Sequence, residues 1–213
     1  MELEEAYSRL LERFGPQGWW PSDGGFRPRE LEVCIGAMLT QNTSWKNVEK
    51  ALEGLRKECR TVEELASIRK GRLEKLIRPS GYYRQKAERL KGFARFIIGY
   101  GGMGKFLRKV TRDELLSVRG IGPETADSIL LYACGKPWFV VDLYTKRVFS
   151  RAGLLGEKDS YGQVQELFMS GLERDVGKYR EFHALIVELS KRHCRKRPSC
   201  RDCPLASGCR KML

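Results

Sequence analysis

No run of apolar residues in this chain approaches the length of a membrane-spanning helix, and its N-terminus lacks the basic-then-apolar pattern of a signal peptide. The expectation is an intracellular protein, cytoplasmic or associated with the nucleoid, with no membrane partner. Segments that alternate apolar and polar residues are scarce, which argues against a large sheet. There is no internal repeat of fixed period and no low-complexity linker. Acidic residues are also in deficit: Asp and Glu number 27 against 40 Lys and Arg, a formal charge of +13 over 213 residues. That balance suits a polyanionic partner, nucleic acid first, and is equally compatible with a basic protein that binds none. Seven cysteines in a reducing compartment are not expected to pair as disulfides.

What is present reads as helix nearly throughout. "MELEEAYSRLLERFG" spaces Leu3, Ala6, Tyr7, Leu10, Leu11 and Phe14 along one helical face. "RELEVCIGAML" and "WKNVEKALEGL" are two more helices, joined by the polar "TQNTS". "TVEELASI" and "TRDELLSV" both carry the capping-box spacing, Thr61 with Glu64 and Thr111 with Glu114. A Pro and a Gly in "RPSGYYRQKAERLKGFARFII" end one helix before a long amphipathic one, and "SYGQVQELFMSGL" and "YREFHALIVELSKRHC" supply two more. The pattern predicts an all-α protein. Cys34 and Cys134, set among apolar residues, read as small core side chains, and Cys59 stands apart from the other cysteines.

In "LLSVRGIGPETADSILLYA" one helix is expected to end at about Arg119 and the next to start at Pro123. Gly120 and Gly122 permit the tight turn between them, Pro123 suits a first helical position, and Ala126, Ile129, Leu130 and Ala133 form a buried stripe. Such a hairpin can offer unpaired backbone N–H groups to an anion such as a DNA phosphate, or serve as a helix corner. Asp142 follows the apolar "WFVV" and precedes "LYTKRVFSRAG", the place of an N-cap carboxylate. Near the end, Cys194, Cys200, Cys203 and Cys209 are spaced C-x5-C-x2-C-x5-C. Four thiolates in so short a loop can surround one metal site. Zinc is one candidate, although its common ribbon uses two close pairs.

The Gly-Ile-Gly hairpin, the helix after it, "KPWFVVD" and the cysteine cluster together resemble the helix-hairpin-helix DNA glycosylases of the endonuclease III superfamily, over essentially the whole chain. That resemblance implies a two-lobed all-α fold: a helical barrel over 22–135, and a second domain from 1–21 with 136–213, carrying the cluster loop at 194–209. It implies a monomer acting on damaged double-stranded DNA, with the damaged nucleotide flipped out. Asp142 matches the catalytic aspartate, which would act on the positive charge that develops on the sugar. Gln41 matches the residue that fills the gap left by the flipped nucleotide, and Gly120, Ile121, Gly122 and Thr125 fall at the hairpin's DNA contacts. A [4Fe-4S] cluster would sit on Cys194, Cys200, Cys203 and Cys209. The first cysteine gap is one residue shorter than the family's C-x6-C-x2-C-x5-C, to be absorbed at Pro198 or in the loop. Arg195, Lys196, Arg197, Arg201 and Arg210 would give it a basic surface toward phosphates.

Members that also cleave the strand carry a lysine just after the hairpin, where this chain has Glu124; a carboxylate cannot form the required imine. Lys146 and Lys136 do not match that position; Lys146 is placed for an ion pair with Asp142, Lys136 for solvent. "RPSGYYRQKAERL", "VVDLYT" and "FHALIVELSK" look closest to the 3-methyladenine DNA glycosylases of the group. This implies removal of alkylated purines, with Trp19, Trp20 and Trp45 as pocket aromatics for a cationic base. Tyr82, Tyr83 and Lys86 are further candidates for contact with the strand. An endonuclease III-type enzyme with abasic lyase activity on oxidised pyrimidines, and a DNA damage binding protein without catalysis, are the alternatives.

Overall fold

The computed structural model describes residues 1–20, 24–156 and 158–211, and all regular structure among them is helical. The chain divides into two compact units, one of Trp20–Gly135 and one of Met1–Trp19 with Lys136–Leu213. The barrel boundary expected at residue 22 lies outside the described residues.

The first unit holds α2 (Arg29–Leu39), α3 (Trp45–Arg56), α4 (Val62–Ser67), α5 (Lys70–Leu76), a 3₁₀ turn (Arg78–Ser80), α6 (Tyr83–Gly99), α7 (Met103–Lys109), α8 (Arg112–Ser117) and α9 (Pro123–Ser128). A π-helical segment, Ile129–Ala133, continues α9. Helix α2 is buried from Leu31 to Leu39 and packs on α3, α6, α9 and the π-helical segment. Apart from Glu32, which is paired with Arg56 at 2.7 Å, this buried stretch is apolar on all sides, and such a helix has to sit inside its neighbours. Both threonine capping boxes form, each with the Thr side chain accepting from the Glu N–H three residues on. The carboxylate of Asp127, fully buried on α9, takes two hydrogen bonds from Arg112 on α8, 2.7 and 3.0 Å long. A paired buried charge of this kind is costly to break, about 3–5 kcal/mol, and it fixes α8 to α9 around the hairpin turn.

Lys86 does not reach a surface. It is 3 % exposed, and its ammonium donates to the carbonyls of Leu39 and Ser80 at 2.8 and 2.7 Å, tying the end of α2 to the 3₁₀ turn. Burial, with Arg89 nearby, pushes its pKa down from 10.5 to about 8. A base whose folded pKa is depressed carries its full cost below the lower value, and the cost fades as pH rises toward the upper one. Wild-type stability relative to Lys86→Met should therefore rise between pH 8 and 10.5, as read by urea denaturation across that window. A flat difference would contradict it.

The second unit contains α1 (Leu3–Phe14), α10 (Leu143–Ala152), α11 (Tyr161–Gly171) and α12 (Val176–Arg192). Helix α1 buries Leu3, Ala6 and Leu10 and packs on α11 and α12. The core is aromatic: Phe139 stacks on Phe168 with centroids 4.3 Å apart, and Phe149, Tyr179 and Phe182 surround the pair edge-on or tilted. The amide of Gln165 donates to the buried carbonyl of Phe139 at 2.7 Å, which satisfies that acceptor in the segment leading to Asp142.

Candidate functional site

The hairpin turn lies between α8 and α9. Helix α8 ends at Ser117, short of the expected Arg119, and the Ile121 N–H closes the turn on the Val118 carbonyl at 3.0 Å. The two glycines are not alike. Gly120 has φ +90°, and a Cβ there would sit 2.3 Å from Cδ of Arg89. Gly122 has φ −96°, open to any residue, and no atom lies within 4 Å of a Cβ added to it. Gly120 thus makes the turn, and Gly122 is not required by the backbone. Gly120→Ala should lose at least about 1 kcal/mol of stability, whereas Gly122→Ala should stay within about 0.5 kcal/mol; chemical denaturation of the pair checks this.

Gln41, in the connection between α2 and α3, is bound to this turn. Its amide donates to the Gly120 carbonyl and to the Thr125 hydroxyl, both at 3.0 Å, and its own carbonyl accepts from Arg89 at 3.1 Å. Ile121 and Thr125 are buried beneath the turn, and Glu124 is exposed in the first turn of α9. Tyr82, 67 % exposed and in the left-handed region at φ 45°, precedes α6. Tyr83 lies against the guanidiniums of Arg78 and Arg84.

Of the three candidate tryptophans, two belong to one aromatic cluster. In the first unit Trp20 meets Trp45 and Tyr132 edge-on, with centroids 5.2 and 5.0 Å apart. The cluster lies over Gly36 of α2, where a Cβ would come within 3.3 Å of Trp20 and 3.4 Å of Trp45. Tyr132 and Gly36 were not singled out in the sequence, because both sit inside otherwise ordinary apolar helices. In the second unit Trp19 packs edge-on against His183, centroids 5.9 Å apart.

Asp142 is the N-cap of α10. Its Oδ1 accepts from the N–H of Thr145 at 2.7 Å and from the Thr145 hydroxyl at 2.9 Å, and its Oδ2 lies 3.5 Å from Nε2 of His183 on α12. The side chain is 14 % exposed. Burial pushes the carboxyl up, but His183 and the two Thr145 donors outweigh it and hold the group below 3.8. It is a charge kept ionised in a largely dry place. Lys146, one turn on, donates instead to the Asp159 carbonyl at 3.2 Å, and Lys136 is half-buried rather than solvated.

Cys34 is fully buried, which drives its thiol well up; Cys59 is buried too, its thiol pushed up to about 11; Cys134 is only half-buried. The other four cysteines are half-exposed in the segment after α12. Burial raises the thiol of Cys203, and Cys194, Cys200 and Cys209 raise it further by charge repulsion, so these three lie within electrostatic reach of Cys203. Among the described residues no three His, Cys, Asp or Glu side chains are grouped as ligands of a single metal ion. A four-iron cluster is itself several ångströms across and needs its thiolates farther apart than one ion does. The loop is held from α10: Arg147 donates to the Cys194 carbonyl at 2.7 Å, and Arg151 to the Arg195 and Lys196 carbonyls at 2.6 and 3.2 Å. Arg151 also lies 3.5 Å from the Cys194 sulfur, and the Lys211 N–H 3.4 Å from that of Cys209. The short first gap closes through the Ser199 N–H on the His193 carbonyl, 2.9 Å. Arg195, Lys196, Arg197, Arg201 and Arg210 are exposed around it.

Residues 35–174, a span that includes Gln41, the hairpin and Asp142, match the family described as HhH-GPD superfamily base excision DNA repair protein, and the chain belongs to that family as a DNA glycosylase whose partner is DNA. It is 45 % identical, over 97 % of its own length and 95 % of the relative's, to a protein of Methanocaldococcus jannaschii whose name carries a provisional assignment as a DNA repair glycosylase. Among solved structures it is similar to the H. pylori 3-methyladenine DNA glycosylase bound to 1,N6-ethenoadenine, at 33 % identity and a TM-score of 0.74 over 88 % of this chain and 94 % of that one. It is also similar to an endonuclease III trapped in a covalent intermediate with DNA, at 25 % identity and a TM-score of 0.84 over 98 % and 94 %.

Proposed function

We propose that this protein is a monofunctional glycosylase that flips alkylated purines such as 3-methyladenine out of double-stranded DNA and removes them with Asp142, leaving the strand uncut. The observation that carries the reaction is the ionised, largely buried carboxylate of Asp142. As the base departs, positive charge gathers on the deoxyribose, and a fixed negative charge stabilises it without reorganising. A cationic methylpurine has an already weakened glycosidic bond, and aromatic faces select it by stacking and cation–π attraction. The Trp20, Trp45 and Tyr132 cluster supports that substrate, as does the likeness to the H. pylori enzyme. Trp19, which packs on His183, belongs to the same proposed set of pocket aromatics.

In this reading Gly120, Ile121, Gly122 and Thr125 form the phosphate-binding turn. Gln41 exchanges its bonds to that turn for bonds to the gap left in the duplex. Cys194, Cys200, Cys203 and Cys209 hold a [4Fe-4S] cluster, whose role is to fold the basic loop rather than to react. The protein works as a monomer inside the cell, its barrel and cluster-bearing domains following the division expected from the family.

The second reading, an endonuclease III-type lyase, is favoured by the fold likeness to the trapped endonuclease III. Glu124 stands against it, because the exposed first turn of α9 offers a carboxylate and no amine there. Borohydride reduction during turnover separates the two. The proposal expects no covalent protein–DNA adduct, and a trapped adduct would mean that another residue supplies the amine.

A further inference from the structure

The two oxygens of Asp142 have different neighbours. Oδ1 is fixed by Thr145, which donates to it through both its N–H and its hydroxyl. Oδ2 takes no bond from Thr145, and His183 of α12 stands beside it with Nε2 3.5 Å away. The imidazole is itself confined: it is 6 % exposed, and Trp19 lies edge-on to it at an interplanar angle of 84°. Lys191, two turns along α12, lies 5.7 Å from the Trp19 ring.

We propose that His183 is a positioning residue for base excision: in the tautomer with its proton on Nε2, it holds Oδ2 of Asp142, and so the plane of the carboxylate, toward the sugar that gains charge. The inference rests on the reading of Asp142 given above. Two donors on one oxygen anchor a carboxylate but leave its plane free to rock about that anchor, and a second donor on the other oxygen removes that freedom. At 3.5 Å the contact is longer than a well-formed hydrogen bond. Catalytic hydrogen bonds are often long before DNA or substrate arrives and tighten in the complex. Trp19 keeps the ring from turning away. A histidine that merely filled the core would affect folding and every mode of DNA binding alike. A positioning histidine affects above all the recognition of a cationic sugar.

The experiment uses the full chain and two duplexes, one with a pyrrolidine abasic analogue, which is cationic, and one with a neutral tetrahydrofuran abasic analogue. The ratio of their dissociation constants reads stabilisation of sugar charge whatever base the enzyme prefers. Wild type should favour the cationic duplex, and Asp142→Asn should lose the preference. His183→Leu should lower it on the order of tenfold or more, the scale of a small misplacement of a catalytic group, with binding of the neutral duplex nearly unchanged. His183→Gln, whose amide reaches toward the same oxygen, should restore most of it. If His183→Leu does not fold, His183→Gln is compared with His183→Asn, whose shorter amide should fail to restore it. A His183→Leu ratio equal to wild type, with Asp142→Asn deficient, overturns the role of His183 alone, and so does a His183→Asn ratio equal to that of His183→Gln. Equal binding of both duplexes by wild type and Asp142→Asn overturns the reading of Asp142 itself.

Discussion

Asp142→Asn should slow base release by on the order of 10² to 10³, the usual loss when one fixed electrostatic contact to a developing charge is removed, while stability and affinity for a duplex without a cationic sugar barely change. Asn and Asp are about equally good N-caps, so the amide oxygen can keep accepting from Thr145 while the charge is gone. Asp142→Ala also removes the cap and should lower stability by about 1 kcal/mol. Together the two variants separate the structural work of this residue from the chemical work. The pH dependence follows from the depressed pKa. Because the folded carboxyl titrates below 3.8, its charge should not limit the rate at any pH above that value, and should begin to do so only as pH falls past it. A protein that only binds damaged DNA would show no release to lose.

Replacing Cys203 by Ser should open the loop that follows α12. Ligands bound only by the folded state add their binding energy to folding, and the loop has little apolar burial of its own beyond Leu205. With the proposed cluster, the wild type should carry iron, acid-labile sulfide and a broad visible absorbance, and the variant should lack all three. Trypsin should cut at the exposed Arg195, Lys196 or Arg201 faster by on the order of 10². Arg147 and Arg151 anchor the loop's backbone to α10 whether or not the cysteines are filled, so α10 itself should stay folded. Zinc in place of iron in the wild-type protein would refute the cluster while keeping a metal-held loop.

The helices were legible because local rules write them: capping boxes at Thr61 and Thr111, and apolar positions at helical spacing in α1 and α3. The hairpin was legible as a turn, but the division of labour between its glycines was not, since a positive φ at Gly120 and an ordinary one at Gly122 leave the same letter in the sequence. Lys86 misled for a similar reason. A lysine among basic neighbours reads as a candidate for contact with the strand, and only the fold shows two carbonyls closing on it. What could not be read were pairings between distant segments: Gln41 with Gly120 and Thr125, Tyr132 with Trp20, His183 with Asp142, and Arg147 and Arg151 with the cysteine loop. Nothing in the local pattern of either member of such a pair announces the other.

The most direct measurement is incubation of the anaerobically purified protein with methylated duplex DNA, following free 3-methyladenine by chromatography and strand nicks before and after alkali. Release of the base, with nicks appearing only after alkali, is the predicted result. Absence of methylpurine release would contradict the substrate, and nicking without alkali would contradict the meaning given to Glu124.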